Sequence, residues 1–310
     1  MSVRLIDCNP SDFSKFSASD LVESIRNSEG RVVMSEVIAT APPLIDKVSN
    51  VEMAAAFGAD LVLLNLYDVY APQIMGMPSK NAAEEKLGFG QTSPGFGRTI
   101  RDVKEWIGRP VGLNLEPIEN PKAITTQGRL ATVQNALLAV EQGADFIMVT
   151  GNPGTGVTLE GILKSLREIK SAVGNSAVIM AGKMHAAGTG ETAADFDHIQ
   201  AFIEAGAQII GIPAPGTTPG MTTEIAKTLI EAIHRAGGLA LTAFGTSQEG
   251  STVHIIEQIA LMSKMAGADI HHIGDAGTIG MAVPENITAL SMAIRGRRHT
   301  WHRMAASLKR

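Results

Sequence analysis

The stretch QGADFIMVT, residues 142–150, places a glycine, a small residue and an aspartate directly before a run of apolar residues. Related stretches are FGADLVLLN (57–65), AGAQIIGIP (205–213), AGGLALTAF (236–244) and AGADIHHIG (266–274). A glycine ends a helix because it accepts the left-handed conformation, and an apolar run of this length enters a buried strand. Each copy is therefore interpreted as the junction between a helix and the strand that follows it.

The spacing of these copies gives the size of the repeating unit. Their first glycines are separated by 85, 63, 31 and 30 residues. These distances are close to three, two, one and one units of about 30 residues, the length of a strand with its crossover helix.

Three further stretches have the composition of buried strands without the glycine: VVMSEVI (32–38), VGLNLEP (111–117) and AVIMAGK (177–183). The segments between the strands carry apolar residues at helical spacing. Eight strands alternating with helices predict a closed (β/α)₈ TIM barrel. A doubly wound open sheet is the alternative.

One barrel domain accounts for residues 1–310. Residues 1–30 form an N-terminal extension with a helix that caps the barrel floor. The long loop 67–95 follows the second strand and is rich in Gly, Pro and Met, which predicts a lid. Residues 295–310 form a basic C-terminal helix or tail, interpreted as a solvated helix or a subunit contact in a homo-oligomer.

Composition and charge exclude several classes of protein. Apolar residues make up 45% of the chain and aromatic residues 4%, which indicates a globular protein with an aliphatic core. The net charge of −5 argues against a nucleic-acid partner, and no apolar stretch is long enough for a membrane span. The single cysteine, Cys8, suits a reducing compartment, so we expect a cytoplasmic protein with a small-molecule substrate.

Polar residues are numerous at the carboxyl ends of the strands, where barrel enzymes hold their active sites. The candidate catalytic residues are Glu36, Glu116, Lys183 and His185, and the candidate substrate-binding residues at the same ends are Asn65, Asn114, Thr150 and Asn152. Since the strand interiors are otherwise apolar, the charged members of this set need partners, a metal or a substrate.

The roles of the charged residues stay open between function and structure. Glu36 and Glu116 act in acid–base chemistry or metal ligation, or they form a buried ion pair with Lys183. Lys183 forms a Schiff base with a carbonyl substrate or holds an anionic group. His271 and His272 point to opposite sides of their strand, so at most one of them faces the barrel mouth.

A divalent metal, Mg²⁺ or Mn²⁺, is the only cofactor that the sequence indicates. Asp68, Glu116 and Asp275 are its candidate ligands, because carboxylate oxygens suit such ions. The stretch GNPGTGVT (151–158) matches the phosphate-binding P-loop except that Val157 replaces the lysine. Neither a nucleotide nor a flavin is expected.

Two glycine-rich loops follow the seventh and eighth strands, where barrels commonly bind phosphate through backbone amides. The candidate phosphate-binding residues in these loops are Gly245, Thr246, Ser247, Gly274, Gly277 and Thr278. Turn formation alone is the alternative explanation of the glycines.

The stretch GADFIMVTGNPGTG (143–156), followed by a helix and AVIMAGKMHAAG (177–188), resembles the BtpA-type family of barrel proteins. More loosely, SNVEMAAAFGADLVLLN (49–65) resembles the first unit of the phosphoenolpyruvate phosphonomutase and isocitrate lyase enzymes. The second resemblance implies a barrel that holds Mg²⁺ and a small 2-oxo acid and makes or breaks C–C or C–P bonds.

These observations together predict a metabolic enzyme of lyase or isomerase type that acts on a small phosphorylated or 2-oxo-acid metabolite. One alternative is a metal-dependent hydrolase on the same barrel, with a bound water as nucleophile. Another is a non-catalytic binding or assembly protein, because a barrel fold does not by itself imply catalysis.

Overall fold

The computed structural model describes residues 3–81, 91–118, 126–151, 156–182 and 196–310. Eight parallel strands form one closed barrel in sequence order, and β1 pairs with β8 to close it. The strands are β1 (Val32–Ile38), β2 (Leu61–Asn65), β3 (Val111–Leu115), β4 (Phe146–Val149), β5 (Val178–Gly182), β6 (Ile209–Pro213), β7 (Leu239–Phe244) and β8 (Ile270–Ile273). The predicted (β/α)₈ barrel is confirmed, and the open sheet is wrong.

Helices surround the barrel and connect its strands. They are α1 (Pro10–Phe13), α2 (Ala18–Arg26), α3 (Asn50–Ala56), α4 (Ile100–Ile107), α5 (Val133–Glu141), α6 (Leu159–Val173), α7 (Phe196–Glu204), α8 (Thr223–Arg235), α9 (Val253–Ala266) and α10 (Pro284–Ala305). Within the described residues, no helix is long and apolar enough to span a membrane.

The barrel interior is filled by aliphatic side chains and one aromatic ring. Inward-facing residues of the strands form a cluster with Leu21 and Ile25 of α2, so α2 lies across the floor of the barrel. Phe146 is fully buried in this cluster, and its ring occupies the space beside Gly112 of the neighbouring strand. A side chain at position 112 would collide with that ring, which explains the glycine in the middle of β3.

The polar residue of the repeated stretch has a structural role at the floor. The Asp145 amide donates to the Val111 carbonyl, while its carboxylate accepts from the Val111 amide at 2.9 Å. The same reciprocal pair joins Asp60 to Val33, Gln208 to Ile179 and Asp269 to Ala240. Each even-numbered strand is thereby fixed to the start of the strand before it.

Asp60 also binds two arginines of the C-terminal helix. Its carboxylate oxygens lie 2.5 Å from Arg295 and 2.6 Å from Arg303, and all three side chains are fully buried. Arg303 donates further to the Cys8 and Leu5 carbonyls, so it connects the N-terminal extension to the barrel. The interpretation of the basic run as a solvated helix is therefore wrong for these two arginines.

The described parts of the segment 67–95 are anchored to the barrel. Tyr67, Ile74 and Met77 are buried in the main core cluster. The two limbs of the segment bond to each other, because the Ile74 amide donates to the Gly95 carbonyl and the Gly76 amide to the Ser93 carbonyl. Residues 82–90 lie outside the described residues, and closure of this segment over the mouth stays a prediction.

Candidate functional site at the barrel mouth

A cavity of about 150 Å³ opens at the carboxyl ends of the strands. It is smaller than the roughly 300–1,000 Å³ that drug-sized ligands occupy, so it suits a small metabolite. Its described lining residues are Glu36, Asn65, Asn114, Thr150, Gly151, Thr217, Ala243, Gly245, Thr246, Glu249, His272, Gly274 and Asp275.

Most of the described residues that the sequence predicted for a site meet in this cavity. From the predicted set, the lining includes Glu36, Asn65, Asn114, Thr150, Gly245, Thr246, Gly274 and Asp275. Ser247 and Gly277 lie in the same loops as these lining residues. Asn152, Lys183 and His185 lie outside the described residues, as does the side chain of Thr278.

Two predicted residues have other partners. Glu116 is 1% exposed, and one of its carboxylate oxygens lies 2.5 Å from the Arg129 guanidinium. Asp68 accepts from the backbone amides of Tyr70 and Ala71, which fixes the turn after β2. Neither residue belongs to the described lining of the cavity.

Glu36 and His272 face each other from the adjacent strands β1 and β8. The His272 Nε2 atom lies 3.0 Å from a carboxylate oxygen of Glu36, but its direction of approach is not that of a hydrogen bond. Both side chains are mostly buried and both line the cavity. A carboxylate and an imidazole at this distance can hold or exchange a proton.

Two further carboxyl groups are shifted toward their protonated forms. Burial raises the pKa of Glu249, and the nearby charges of Asp275 and Glu36 raise it further. Burial also raises the pKa of Asp275, again with a contribution from Glu36. Asp275 accepts hydrogen bonds from the Asn65 side chain at 3.0 Å and the Gly277 amide at 2.8 Å. Perturbed acids that share a cavity are typical of functional sites.

Several buried polar atoms of the described mouth residues have no hydrogen-bond partner. They are Asn114 Oδ1, Glu249 Oε2 and both ring nitrogens of His272. These three residues are 4%, 6% and 2% exposed. Because an unsatisfied buried polar group costs about 1–3 kcal/mol, this arrangement favours a ligand that completes the hydrogen bonding.

The backbone around the mouth is strained. Leu66, Thr246, Ser247 and Ala276 adopt positive φ angles of 55°, 57°, 74° and 54°. They lie in the loops after β2, β7 and β8. Non-glycine residues in this region are uncommon and cluster at functional sites.

The predicted phosphate loops contain a buried acid. The Glu249 carboxyl lies beside Gly274, and a Cβ at that glycine would come within 3.4 Å of it. The Gly274 amide already donates to the Phe244 carbonyl, and the Gly277 amide donates to Asp275. Helix α10 begins with Pro284, which has no amide hydrogen to offer. This geometry does not favour a phosphate dianion.

The predicted metal ligands do not come together. Asp68 and Glu116 have the partners described above, whereas Asp275 lines the cavity. Among the described residues, no group of three or more His, Cys, Asp or Glu side chains is placed to hold a metal ion. The described residues therefore do not fit the predicted metal set.

The structure separates the two neighbouring histidines. His272 lines the mouth, whereas His271 is fully buried on the other side of β8, 3.0 Å from the Gly30 carbonyl. Burial lowers the pKa of His271 to about 4, so it is neutral. Glu249 was not among the predicted site residues. A glutamate between the glycines of FGTSQEG (244–250) was the available signal.

The fold and the mouth define a (β/α)₈ barrel with an acid–base cavity at the carboxyl ends of its strands. The chain belongs to the family described as a domain of unknown function (DUF7916), whose model matches residues 6–310. No curated protein matches the chain.

Solved structures with similar folds have low sequence identity to this chain. Crystalline 2,3-dimethylmalate lyase, a PEP mutase/isocitrate lyase superfamily member, is 15% identical over 84% of this chain and 81% of its own, with a TM-score of 0.49. The carboxyl transferase domain of Rhizobium etli pyruvate carboxylase is 14% identical, with a TM-score of 0.52. That match covers 97% of this chain and 52% of the other chain, and it shows a shared fold. The BtpA-type resemblance is not confirmed by these comparisons.

Proposed function

We propose that the chain is an enzyme of lyase or isomerase type that transfers a proton on a small carbonyl-containing metabolite. The observation that carries this proposal is the Glu36–His272 pair, which shares one cavity with the raised-pKa carboxyls of Glu249 and Asp275. Acids and bases whose environments separate their proton affinities are the usual means of catalysing proton transfer.

The proposed reaction begins with the base. Glu36 removes a proton from the carbon next to the carbonyl group, and His272, 3.0 Å from the Glu36 carboxyl, is close enough to take up that proton. The side-chain amide of Asn114, which lines the same cavity, donates a hydrogen bond to the carbonyl oxygen as negative charge develops there. Where the deprotonated carbon carries a hydroxyl group, the resulting enediolate takes the proton back on the former carbonyl carbon and the hydroxyl becomes the new carbonyl, as in an isomerase. Where the next carbon carries a leaving group, the electron pair forms a C=C bond and expels that group, which takes the proton from Glu36, as in a lyase.

The predicted substrate classes receive unequal support. A 2-oxo acid contains the carbonyl group that this chemistry needs. The loops after β7 and β8 are less suited to a phosphorylated substrate, because the Glu249 carboxyl lies beside Gly274 there. No step of the proposed reaction requires the metal, since the described residues do not form the predicted metal site.

Proton exchange with solvent tests the proposal. A panel of small aldehydes, ketones and 2-oxo acids is incubated with the protein in D₂O, and loss of C–H signal is followed by proton NMR. We expect exchange at one carbon of at least one compound and a decrease of about 10²-fold or more in Glu36→Gln.

The matched control is Glu231→Gln on the exposed face of α8, which we expect to exchange at the wild-type rate. Exchange by Glu36→Gln at the wild-type rate would rule out Glu36 as the base. A compound that binds without any exchange would instead support the non-catalytic alternative.

A further inference from the structure

The ionisable groups of the described cavity wall are mostly acidic. Glu36, Glu249 and Asp275 line it together with a single histidine, His272. No lysine or arginine belongs to the described lining. Charges of one sign in a small buried site repel each other, and the raised pKa values of Glu249 and Asp275 report that repulsion together with burial.

The unsatisfied atoms of this wall include two oxygens. Asn114 Oδ1 is a hydrogen-bond acceptor, and Glu249 Oε2 is an acceptor when the carboxyl is ionised. Both side chains are more than nine-tenths buried, and neither atom has a partner in the described structure. A ligand that satisfies these two oxygens therefore has to donate hydrogen bonds.

Two of the backbone amides in the loop after β8 are not available to an anion. The amides of Gly274 and Gly277 are already bonded within the protein. The first residue of α10 is Pro284, so the helix start lacks one of the amides that normally bind anions. The carboxyl groups that line the cavity oppose a phosphate or carboxylate group placed beside them.

We propose that the mouth binds its substrate through a protonated amino group held among Glu36, Glu249 and Asp275. The proposal rests on the proposed function in taking this cavity as the substrate site. An ammonium group donates three hydrogen bonds and carries a positive charge, which no described lysine or arginine supplies to the cluster. A hydroxyl group donates only one hydrogen bond and leaves the carboxyl charges uncompensated.

Proton release accompanies this mode of binding. A bound cation stabilises the ionised forms of Glu249 and Asp275, so their pKa values decrease toward the ordinary range. At a pH between the free and bound values, the protein loses protons as the ligand binds. Calorimetry in buffers of different ionisation enthalpy measures the number of protons released per ligand bound.

A matched set of two-carbon probes tests the proposal. The probes are ethanolamine, ethylene glycol, glycolate and ethylene glycol monophosphate, titrated by calorimetry and thermal shift at constant ionic strength. We expect ethanolamine to bind about tenfold or more tightly than ethylene glycol, because hydrogen bonds to charged groups are the stronger ones. We also expect its binding to release protons.

Glu249→Gln keeps the size of the side chain and removes its charge. We expect it to weaken ethanolamine binding by about tenfold and to leave ethylene glycol binding nearly unchanged. Glu231→Gln on the surface of α8 is the control and retains the wild-type preference. Tighter binding of the phosphate or of glycolate than of ethanolamine overturns the proposal, as does unchanged ethanolamine binding in Glu249→Gln.

The binding test does not depend on turnover. Ethanolamine binding without C–H exchange by any compound would refute the proposed function and leave the assigned ligand group intact. Exchange without a preference for the amine would refute the ligand group and leave proton transfer intact.

Discussion

The two ends of the barrel both bury acidic residues, but they treat them in opposite ways. At the floor, Asp60 binds two arginines, and Asp145 lies 2.7 Å from the Lys104 ammonium. At the mouth, Glu249 and Asp275 lie near other carboxyls, and Glu249 keeps an unpartnered oxygen. Acids with cationic partners within the protein stabilise the fold, whereas acids without such a partner among the described residues depend on protons or a ligand.

The buried carboxyl groups of Asp60 and Glu249, at the two ends of the barrel, also differ in the direction of their pKa shifts. Burial alone raises the pKa of Asp60, but the two guanidiniums outweigh it, and the net pKa is below the ordinary value. Burial raises the pKa of Glu249, and the neighbouring carboxyls reinforce that shift. Asp60 is therefore ionised and stabilising, whereas ionisation of Glu249 opposes folding. Asp145 has a single lysine beside it, and burial still raises its pKa. Division of a barrel into a stability face and an active face is general.

The largest expected effect is at the floor. Asp60→Asn removes the charge that compensates Arg295 and Arg303, which leaves two buried guanidiniums without a counter-ion. Breaking a buried ion pair by removing one partner costs about 3–5 kcal/mol. Urea unfolding followed by circular dichroism measures the decrease in the free energy of unfolding. If the variant cannot be recovered in folded form, that outcome also supports the prediction.

Asp46→Asn is the matched control, since Asp46 is exposed in the loop after β1. We expect it to change the free energy of unfolding by less than about 0.5 kcal/mol. A similarly small change in Asp60→Asn would contradict the view that the floor acids hold the fold.

The next effect is on activity at the mouth. Glu36→Gln is expected to decrease turnover by about 10²-fold or more, because the proposed base is lost. The free energy of unfolding should change by less than about 1 kcal/mol, since no arginine or lysine depends on Glu36 in the described structure. Urea unfolding and the exchange assay on one preparation give both numbers. A loss of stability like that of Asp60→Asn would remove the distinction between the two ends.

A smaller effect of opposite sign is expected at Glu249. Glu249→Gln removes a buried carboxyl group that has no lysine or arginine beside it among the described residues, so we expect stabilisation of about 0.5–2 kcal/mol at neutral pH, as for other active-site replacements. The measurement is the difference in unfolding free energy between variant and wild type. Destabilisation at neutral pH would show that the ionised carboxyl is already satisfied.

The pH dependence of that difference has a definite sign. The pKa of Glu249 is raised in the folded protein, so wild-type stability is complete below the ordinary value of 4.5 and decreases as pH rises through the folded value. The glutamine variant lacks this decrease. Its advantage should therefore grow from acid to neutral pH.

The fold was predictable because its signal is repeated. The glycine and apolar run of each copy recur at unit spacing, and five of the eight strands lie where that pattern puts them. The other three strands lie where the apolar composition of their stretches predicts them. The same stretches contain the acids Asp60, Asp145 and Asp269, yet their roles were not foreseen. Their partners lie on other units, such as Arg295, at a sequence distance that no local pattern encodes.

The site was predictable in part for a related reason. Glu36, Asn114 and Asp275 all lie at the carboxyl ends of strands in one barrel. The alternation of side chains along each strand and the order of the strands therefore suffice to bring them together. Glu116 differs because Arg129, from the loop after its own strand, turns back to bind it. Glu249 was missed because its loop was interpreted through the glycines. Burial of a loop acid depends on tertiary packing, which sequence spacing does not report.

The smallest effect is expected from the most exposed of the floor pairs. His234 Nε2 lies 2.7 Å from the Asp269 carboxylate, and the His234 side chain is 39% exposed. The hydrogen bond to Asp269 raises the pKa of His234 above its ordinary 6.5. The stabilisation is therefore complete below pH 6.5 and is lost as pH rises through the folded value. Solvent screening limits it to about 0.5 kcal/mol or less. His234→Gln should remove this decrease, whereas His254→Gln, exposed on α9, should retain it in urea unfolding at several pH values. A change as large as that of Asp60→Asn would show that burial does not set the strength of the floor pairs.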